Sequence, residues 1–158
     1  MTNVLSVIKT IQEHDVAPCK KKVQKIIYLI QESGEDLGFD YSIHFYGPYS
    51  EKLDSEIRYL YNRGDLNMDF TPRGHKLSVD NSLATPPVSS TTQEIIAYFR
   101  LKSPSDLELL ATVLYIKRAI PNANDKNILN NVLRIKGEKY SEIEINNSIK
   151  ELKNRHYF

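Results

Sequence analysis

The sequence is poor in several residue types that mark particular classes of protein. Its 158 residues include one cysteine, six glycines and no tryptophan. One cysteine cannot form the internal disulfides of a small secreted domain, so we expect a cytoplasmic protein. Neither G-x-G-x-x-G nor G-x-x-x-x-G-K occurs, which argues against a Gly-rich phosphate loop. No apolar run approaches the ~18 residues of a membrane span, and we expect no membrane association.

An excess of charge of one sign is also lacking. The chain has 21 basic and 20 acidic residues and is 41% hydrophobic, which excludes an indiscriminate polyelectrolyte and a disordered chain. Residues 1–85 carry 10 basic and 12 acidic residues, a net charge of −2, whereas residues 86–158 carry 11 and 8, a net charge of +3. The acidic first half favours a protein over DNA as its partner.

Hydrophobic spacing predicts three helices in the first half. Apolar residues recur at i, i+3, i+4 and i+7 in residues 2–14 and again in residues 18–34. Ser50 is a suitable N-cap for a third helix, and Gly64 is placed to end it. Between the second and third helices, residues 39–46 alternate apolar and polar, which predicts one extended strand.

The remaining pattern predicts a hairpin, a connector and further helices. Residues 66–79 alternate on both sides of a Pro-Arg-Gly turn, which is typical of a β-hairpin. Three helices and a hairpin are the element order of a winged helix. We therefore predict an α+β, mainly helical protein, with a winged-helix-like module at 1–80, a connector at 81–92 and a helical half at 93–158. The two halves are expected to pack together, and one compact domain is left open.

No constellation of residues indicates catalysis. The four histidines, His14, His44, His75 and His156, lie in different predicted elements and in no metal-ligand spacing. We expect no metal, cofactor or catalytic residue. One enzymatic alternative stays open, a hydrolase in which Cys19 acts with a distant histidine.

A basic cluster and two tyrosines give the candidate partner-binding residues. The cluster lies at the start of the second helix and comprises Lys20, Lys21, Lys22 and Lys25. Tyr46 and Tyr49 flank Gly47-Pro48, where we expect both rings to stay partly exposed, and tyrosine is favoured at interfaces. We predict that these residues bind another protein.

Nucleic acid is the alternative partner. In a winged helix the hairpin turn, here with Arg73, His75 and Lys76, contacts the phosphate backbone. The third helix, however, carries Glu51, Asp54 and Glu56 on the side expected to face a major groove. Carboxylates there repel phosphates, so DNA is the second choice.

Two separated motifs carry a family resemblance. Lys22 to Leu29 includes Gln24, Lys25 and Tyr28, and Phe45 to Leu53 includes Gly47-Pro48. Together they resemble the K-L-Q-K-x-x-Y and Y-G-P signatures of the Panacea or SocA-like antitoxins. The chain is more similar still to the YwgA-like proteins of bacteria and archaea, also in residues 62–66, 109–115 and 136–141.

The resemblance implies a helical, non-enzymatic protein that acts by protein contact. The Panacea group neutralises toxins or serves as proteolytic adaptors, so the implied partner is a toxin or a protease substrate. A homodimer is left open. Gln24 or Tyr28 either satisfies backbone groups near Gly47-Pro48 or belongs to a binding site, and both readings are kept.

Overall fold

The computed structural model describes residues 3–15 and 17–158, and in these the chain is α+β and mainly helical. The first half contains α1 (Val4–Gln12), α2 (Lys20–Glu32), β1 (Ser42–His44), β2 (Gly47–Tyr49), α3 (Glu51–Arg63), β3 (Asn67–Thr71) and β4 (Gly74–Ser78). The second half contains α4 (Ser90–Phe99), α5 (Pro104–Ala119), α6 (Asp125–Lys136), a short 3₁₀ turn (Gly137–Lys139) and α7 (Glu142–Asn154). The predicted fold class is confirmed at this level.

Capping residues set the starts of most helices. Six helices begin after a Ser or Asn whose side-chain oxygen accepts a hydrogen bond from a backbone N–H three residues later. Ser50, predicted from the sequence, caps α3, and Asn124 caps α6. Gly64 ends α3 in a left-handed conformation, with φ of 86°.

The single strand predicted for residues 39–46 is wrong. Ser42–His44 turns back at Phe45-Tyr46, and Gly47-Pro48 forms the second strand of an antiparallel hairpin instead of breaking the structure. Two properties make this compatible with the sequence. Gly47 has φ of 88°, which glycine adopts without strain. Pro48 lies in a two-stranded hairpin, where its missing N–H interrupts no further strand pairing.

The second hairpin agrees with the sequence pattern. β3 and β4 pair in register from Asn67↔Ser78 to Thr71↔Gly74, and Met68 and Leu77 are buried. After the second hairpin, Ser89 caps α4 and the helix begins at Ser90, within the segment 81–92. Thr92, expected in the connector, is buried within α4.

The hydrophobic core is built around α2. Residues 26–30 of this helix are all buried, and α2 packs against both α4 and α5. Buried side chains from every helix join one continuous cluster. α2 and the hairpin β1–β2 therefore lie against the second half of the chain, and this contact defines the candidate site. A boundary at 81–92 stays a prediction.

Candidate functional site

The four lysines at the start of α2 point to four different places. Lys20 pairs with Asp54 on α3 at 2.7 Å, whereas the Lys21 ammonium lies 3.4 Å from the centre of the Tyr46 ring. Lys22 pairs with Asp15 at 3.0 Å and also donates to the carbonyl of Arg100. Lys25 donates to the carbonyl of Pro48 at 2.7 Å. The lysines therefore do not form one continuous face.

Lys22 and Lys25, two of the four candidate lysines, are buried. Their exposed fractions are 7% and 2%. Each ammonium is stabilised in the interior because it donates to a backbone carbonyl, that of Arg100 for Lys22 and that of Pro48 for Lys25. Buried polar groups need such partners, so these two lysines hold the fold together. Their predicted contact with a partner protein would require the structure to open.

Burial changes the proton affinity of Lys25. Loss of solvent lowers the pKa of its ammonium from 10.5 to about 8. Nearby Lys136 and Lys21 act in the same direction, whereas Glu108 opposes them. The ammonium is still mainly protonated at neutral pH, where it binds the hairpin as a charged donor.

Gln24 connects the two sequence motifs. Its amide donates to the carbonyl of Ser50 at 2.9 Å and accepts from the N–H of the same residue at 3.0 Å. Gln24 is fully buried and replaces the strand that would otherwise pair with the end of β2. Of the two roles considered for Gln24, the structure thus shows the first, in which its side chain satisfies backbone groups next to Gly47-Pro48. Tyr28 takes no part in it, since its hydroxyl has no hydrogen-bond partner among the described residues.

Two other glutamines repeat this arrangement. Gln12 binds the N–H and the carbonyl of Val79 at 2.7 and 2.8 Å, directly after β4. Gln31 binds both backbone groups of Phe39 at 3.0 and 2.6 Å, before β1. A primary amide offers one donor and one acceptor side by side, so it pairs with an extended residue as a neighbouring strand would. Three glutamine amides thus hold backbone that flanks the hairpins.

Helices α5 and α6 hold the other side of the first hairpin. Lys136, at the end of α6, donates to the carbonyl of Phe45 at 2.9 Å. Gly47 lies so close to α5 that a Cβ atom there would be 2.9 Å from Thr112 Oγ1 and 3.2 Å from Glu108 Cγ. Glycine is therefore required at this position for space as well as for its backbone conformation.

Glu108 is a buried carboxylate between two lysines. Its Oε2 atom lies 2.7 Å from the ammonium of Lys139, 3.3 Å from that of Lys136 and 2.8 Å from the hydroxyl of Tyr140. Burial alone would raise the pKa of Glu108, but the hydrogen bonds from Lys139 and Tyr140 outweigh it, and the net pKa is lowered. Glu108 thus remains charged and fixes both lysines beside the hairpin.

The exposed end of this assembly is the hairpin-tip surface, defined as Phe45, Tyr46, Lys21 and Lys139. Phe45 is 83% exposed and Tyr46 is 44% exposed, and their rings meet edge to face with centroids 4.9 Å apart. The Lys139 ammonium lies 5.6 Å from the Tyr46 ring centre, so lysines from two different elements contact one ring. Two aromatic rings thus lie partly or largely in solvent beside two cations.

Tyr49 belongs to a neighbouring network. Its ring lies 5.1 Å from that of His44, and its pKa is influenced by the nearby Asp54, which pairs with Lys20 at 2.7 Å and with Arg58 at 2.8 Å. Burial and the Asp54 hydrogen bond raise the pKa of Tyr49. Burial alone would raise the pKa of Asp54, but its hydrogen bonds from Lys20 and Tyr49 dominate and lower it. Tyr49 is half-buried and faces α3.

The predicted nucleic-acid residues lie on the second hairpin. Arg73 is exposed at the turn, while His75 and Lys76 are half-buried. The His75 ring packs edge-on against Phe70, with centroids 4.6 Å apart. The expected row of carboxylates on α3 is corrected at Asp54, which is 7% exposed and is neutralised by the two cations just described.

The hydrolase alternative involves Cys19 and a histidine, and it stays a prediction. Cys19 is buried at the start of α2 and forms a backbone bridge with Lys76, whereas His44 is exposed and contacts Ser42. In residues 3–15 and 17–158, no three His, Cys, Asp or Glu side chains gather as metal ligands would. The same part of the chain contains no helix with the length and apolar character needed to cross a membrane.

Lys136, Lys139 and Glu108 were not among the candidate residues. A signal for two of them was present, because the segment 136–141 was one of those resembling YwgA-like proteins. Nothing in the local pattern shows, however, that the end of α6 lies against residues 45–47. That contact depends on how α5 and α6 fold back across the first hairpin.

The site thus defines a class of structure, an α+β protein whose Gly-Pro hairpin is bound on both sides by buried lysines. No family model matches the chain. The chain is similar to the uncharacterized protein YwgA of Bacillus subtilis (strain 168), with 30% identity over 105 residues that cover 61% of this chain and 63% of that protein. The match spans less than two thirds of that relative. It supports the YwgA-like resemblance, while the relation to Panacea or SocA-like antitoxins stays a prediction.

Proposed function

We propose that this protein is a non-enzymatic binding protein that recognises another protein through the hairpin-tip surface. The observation that carries this proposal is the exposure of Phe45, at 83%, on a hairpin whose backbone is held by buried side chains. Large apolar side chains in solvent on a rigid support match the anchor residues of protein interfaces.

The support under the tip favours binding over a purely structural role. Lys25 and Lys136 fix the carbonyls of Pro48 and Phe45, and Gln24 fixes Ser50. A preformed surface loses little conformational entropy when a partner binds, so more of its contact energy appears as affinity. An antitoxin-like or adaptor-like role needs such a preformed contact surface, and a toxin or a protease substrate is the kind of partner that this role implies.

The first experiment compares partner capture by matched variants in extracts of the native host. Phe45→Ser combined with Tyr46→Ser removes both rings at the tip. Tyr61→Ser combined with Phe70→Ser removes two other exposed rings, from α3 and β3, which lie 6.3 Å apart. We expect a protein that wild type and the second variant retain and that the first variant loses.

Binding by the purified partner then completes the test. Calorimetry with that partner should show at least a ~100-fold loss of affinity for the tip variant, since anchor residues contribute ~2 kcal/mol or more. Equal affinity of both variants would refute the hairpin-tip surface. Thermal unfolding must be similar for all three proteins, so that a loss of binding is not a loss of folding.

A second candidate function is DNA binding by a winged-helix arrangement of α1–α3 and β3–β4. Asp54 is neutralised by Lys20 and Arg58, which removes one of the three carboxylates that opposed phosphate contact. Arg73 and Lys76 would then contact the phosphate backbone from the hairpin, with His75 beside them. This function predicts duplex binding that weakens steeply with salt and that Arg73→Ala with Lys76→Ala reduces. Lack of any gel shift at low salt would exclude it.

A further inference from the structure

The charges around the hairpin-tip surface are unbalanced. Four ammonium groups, from Lys21, Lys25, Lys136 and Lys139, contact the hairpin or its tip. Among the described residues, the one carboxylate that pairs with any of them is Glu108. The cluster therefore has three positive charges more than negative ones, so a negatively charged group would be attracted to it.

The excess charge is accessible at two points only. Lys25 and the side chain of Lys136 are buried and donate to carbonyls. Lys21 is exposed, and the side chain of Lys139 is 41% exposed. The two accessible ammonium groups approach the same Tyr46 ring, at 3.4 and 5.6 Å from its centre. Anything that binds both must also cover the tip.

Resting on the proposed function, we infer that the partner presents an acidic segment, in which carboxylates pair with Lys21 and Lys139 while an adjacent apolar side chain covers Phe45 and Tyr46. Charge complementarity selects the carboxylates, and the exposed rings select the apolar neighbour. The buried lysines keep the local potential positive after the two outer ammonium groups are paired.

The size of the cationic surface favours an acidic protein segment over nucleic acid. Two accessible ammonium groups neutralise about two phosphates, whereas salt-dependent DNA binding typically involves ~6–10 phosphate contacts. No arginine lies among the four residues of the surface, and arginine is the residue preferred for bidentate phosphate recognition. Lysine acts as a point charge, which suits single carboxylates.

Defined peptides test this inference directly. The probes are a fluorescein-labelled peptide of alternating Glu and Leu, the same peptide with Lys in place of Glu, and a labelled single-stranded oligonucleotide. The proteins are wild type, Lys21→Glu/Lys139→Glu, and the control Lys126→Glu/Lys150→Glu, whose lysines are exposed on α6 and α7. Fluorescence anisotropy at low salt gives the affinities, because surface charge interactions are screened at high salt.

We expect wild type and control to bind the Glu-Leu peptide at least ~10-fold more tightly than the Lys21→Glu/Lys139→Glu variant does, a difference of ~1.4 kcal/mol. Equal binding by all three proteins would overturn the inference. It would also be overturned if the oligonucleotide bound more tightly than the peptide and depended on the same lysines.

The outcome separates this inference from the proposed function. If the peptide binds through Lys21 and Lys139 but no partner is captured from host extracts, the acidic-segment inference is kept and the proposed function is refuted. A captured partner that depends on Phe45 and Tyr46 but not on the two lysines keeps the function and overturns the inference.

Discussion

The two hairpins described above differ in strand length and are stabilised by different interactions. Strands β3 and β4 have five residues each, pair with one another along their whole length and bury Met68 and Leu77 in the core. Strands β1 and β2 have only three residues each. They depend on buried polar side chains from α2 and α6, which bind the hairpin backbone.

The difference shows how a very short hairpin can be made rigid. An isolated two-stranded hairpin is marginal in water, and three-residue strands supply few bonds of their own. Gln24, Lys25 and Lys136 supply the missing partners from outside the hairpin. Their contribution depends on burial, because a backbone group deprived of its partner inside the protein cannot bond to water instead.

The largest effect expected is that of Gln24→Ala. It leaves the N–H of Ser50 buried without a partner, and the carbonyl of Ser50 keeps only its bond from the N–H of Asp54. Together these losses should lower the free energy of unfolding by about 4 kcal/mol. Gln12→Ala is the matched control, since Gln12 makes the same two bonds to Val79 beside the second hairpin but is only half-buried. For Gln12→Ala we expect about 1.5 kcal/mol, because water can replace part of its bonds.

Urea unfolding followed by circular dichroism measures both values. If the two variants lose equal stability, burial does not distinguish the anchoring of the two hairpins. Gln24→Glu adds a sharper test, because it keeps the shape of the side chain but loses the donor to Ser50. It should be nearly as destabilising as Gln24→Ala.

The second effect concerns the close approach of the first hairpin to α5. Gly47→Ala places a Cβ atom 2.9 Å from Thr112 and also strains a residue with φ of 88°. We expect a loss of about 3 kcal/mol, of which about 1 kcal/mol comes from the backbone. Gly64→Ala separates the two causes, because Gly64 has φ of 86° but no atom within 4 Å of its Cβ position.

Thermal unfolding of both glycine variants gives the difference. A loss for Gly47→Ala no larger than that for Gly64→Ala would show that the hairpin is not pressed against α5. A Gly47→Ala/Thr112→Ala double variant should regain part of the stability, since it removes the nearest atom.

The third effect is a pH dependence that the buried lysine gives to the first hairpin. The pKa of Lys25 is about 8 in the folded protein against an ordinary value of 10.5. Between these values the unfolded chain binds a proton that the folded protein does not, so stability rises with pH in that window. Below pH 8 both states are protonated and the slope disappears.

The comparison with Lys25→Met isolates this contribution. From pH 8 to 9.5, wild type should gain about 1.5 kcal/mol relative to Lys25→Met, as measured by urea unfolding. Raised pKa values of buried tyrosines such as Tyr28 and Tyr157 act in the opposite direction at higher pH, and they cancel in the comparison. Lys150→Met on the exposed face of α7 should leave the wild-type profile unchanged. Parallel profiles for wild type and Lys25→Met would contradict the prediction.

The sequence predicted the second hairpin better than the first, for physical reasons. Around the second hairpin, apolar residues recur at every second position, at 66, 68 and 70 and again at 77 and 79, so period two is visible in the sequence. In the first hairpin only Ser42–His44 keeps this alternation, and Gly47-Pro48 has the composition of a chain break. Its strand geometry depends on tertiary contacts with Thr112 and Lys136, which no local pattern encodes.

The candidate site was predictable in part. Tyr46 and Lys21 were expected together and lie in contact, and Gln24 was considered as a link to Gly47-Pro48. Adjacent lysines, however, leave a helix in different directions, and the sequence cannot show which of them meets an unpaired carbonyl. Lys25 lies one helical turn beyond Lys21 on a similar face, yet one is buried and the other is exposed.

The smallest effect on stability is expected for the exposed phenylalanines of the two hairpins. Because their substitution should leave folding unchanged, a loss of binding there can be separated clearly from a loss of folding. Phe45 and Phe70 are 83% and 65% exposed, so Phe45→Ser and Phe70→Ser should each change the free energy of unfolding by less than about 0.5 kcal/mol. On the proposed function, Phe45→Ser alone weakens partner binding, because the carbonyl of Phe45 is fixed by Lys136 and the tip of the first hairpin lies beside Lys21 and Lys139. A loss of stability with Phe45→Ser would mean that its ring supports the hairpin. An equal loss of binding for both variants would mean that the two hairpins contribute to a single surface.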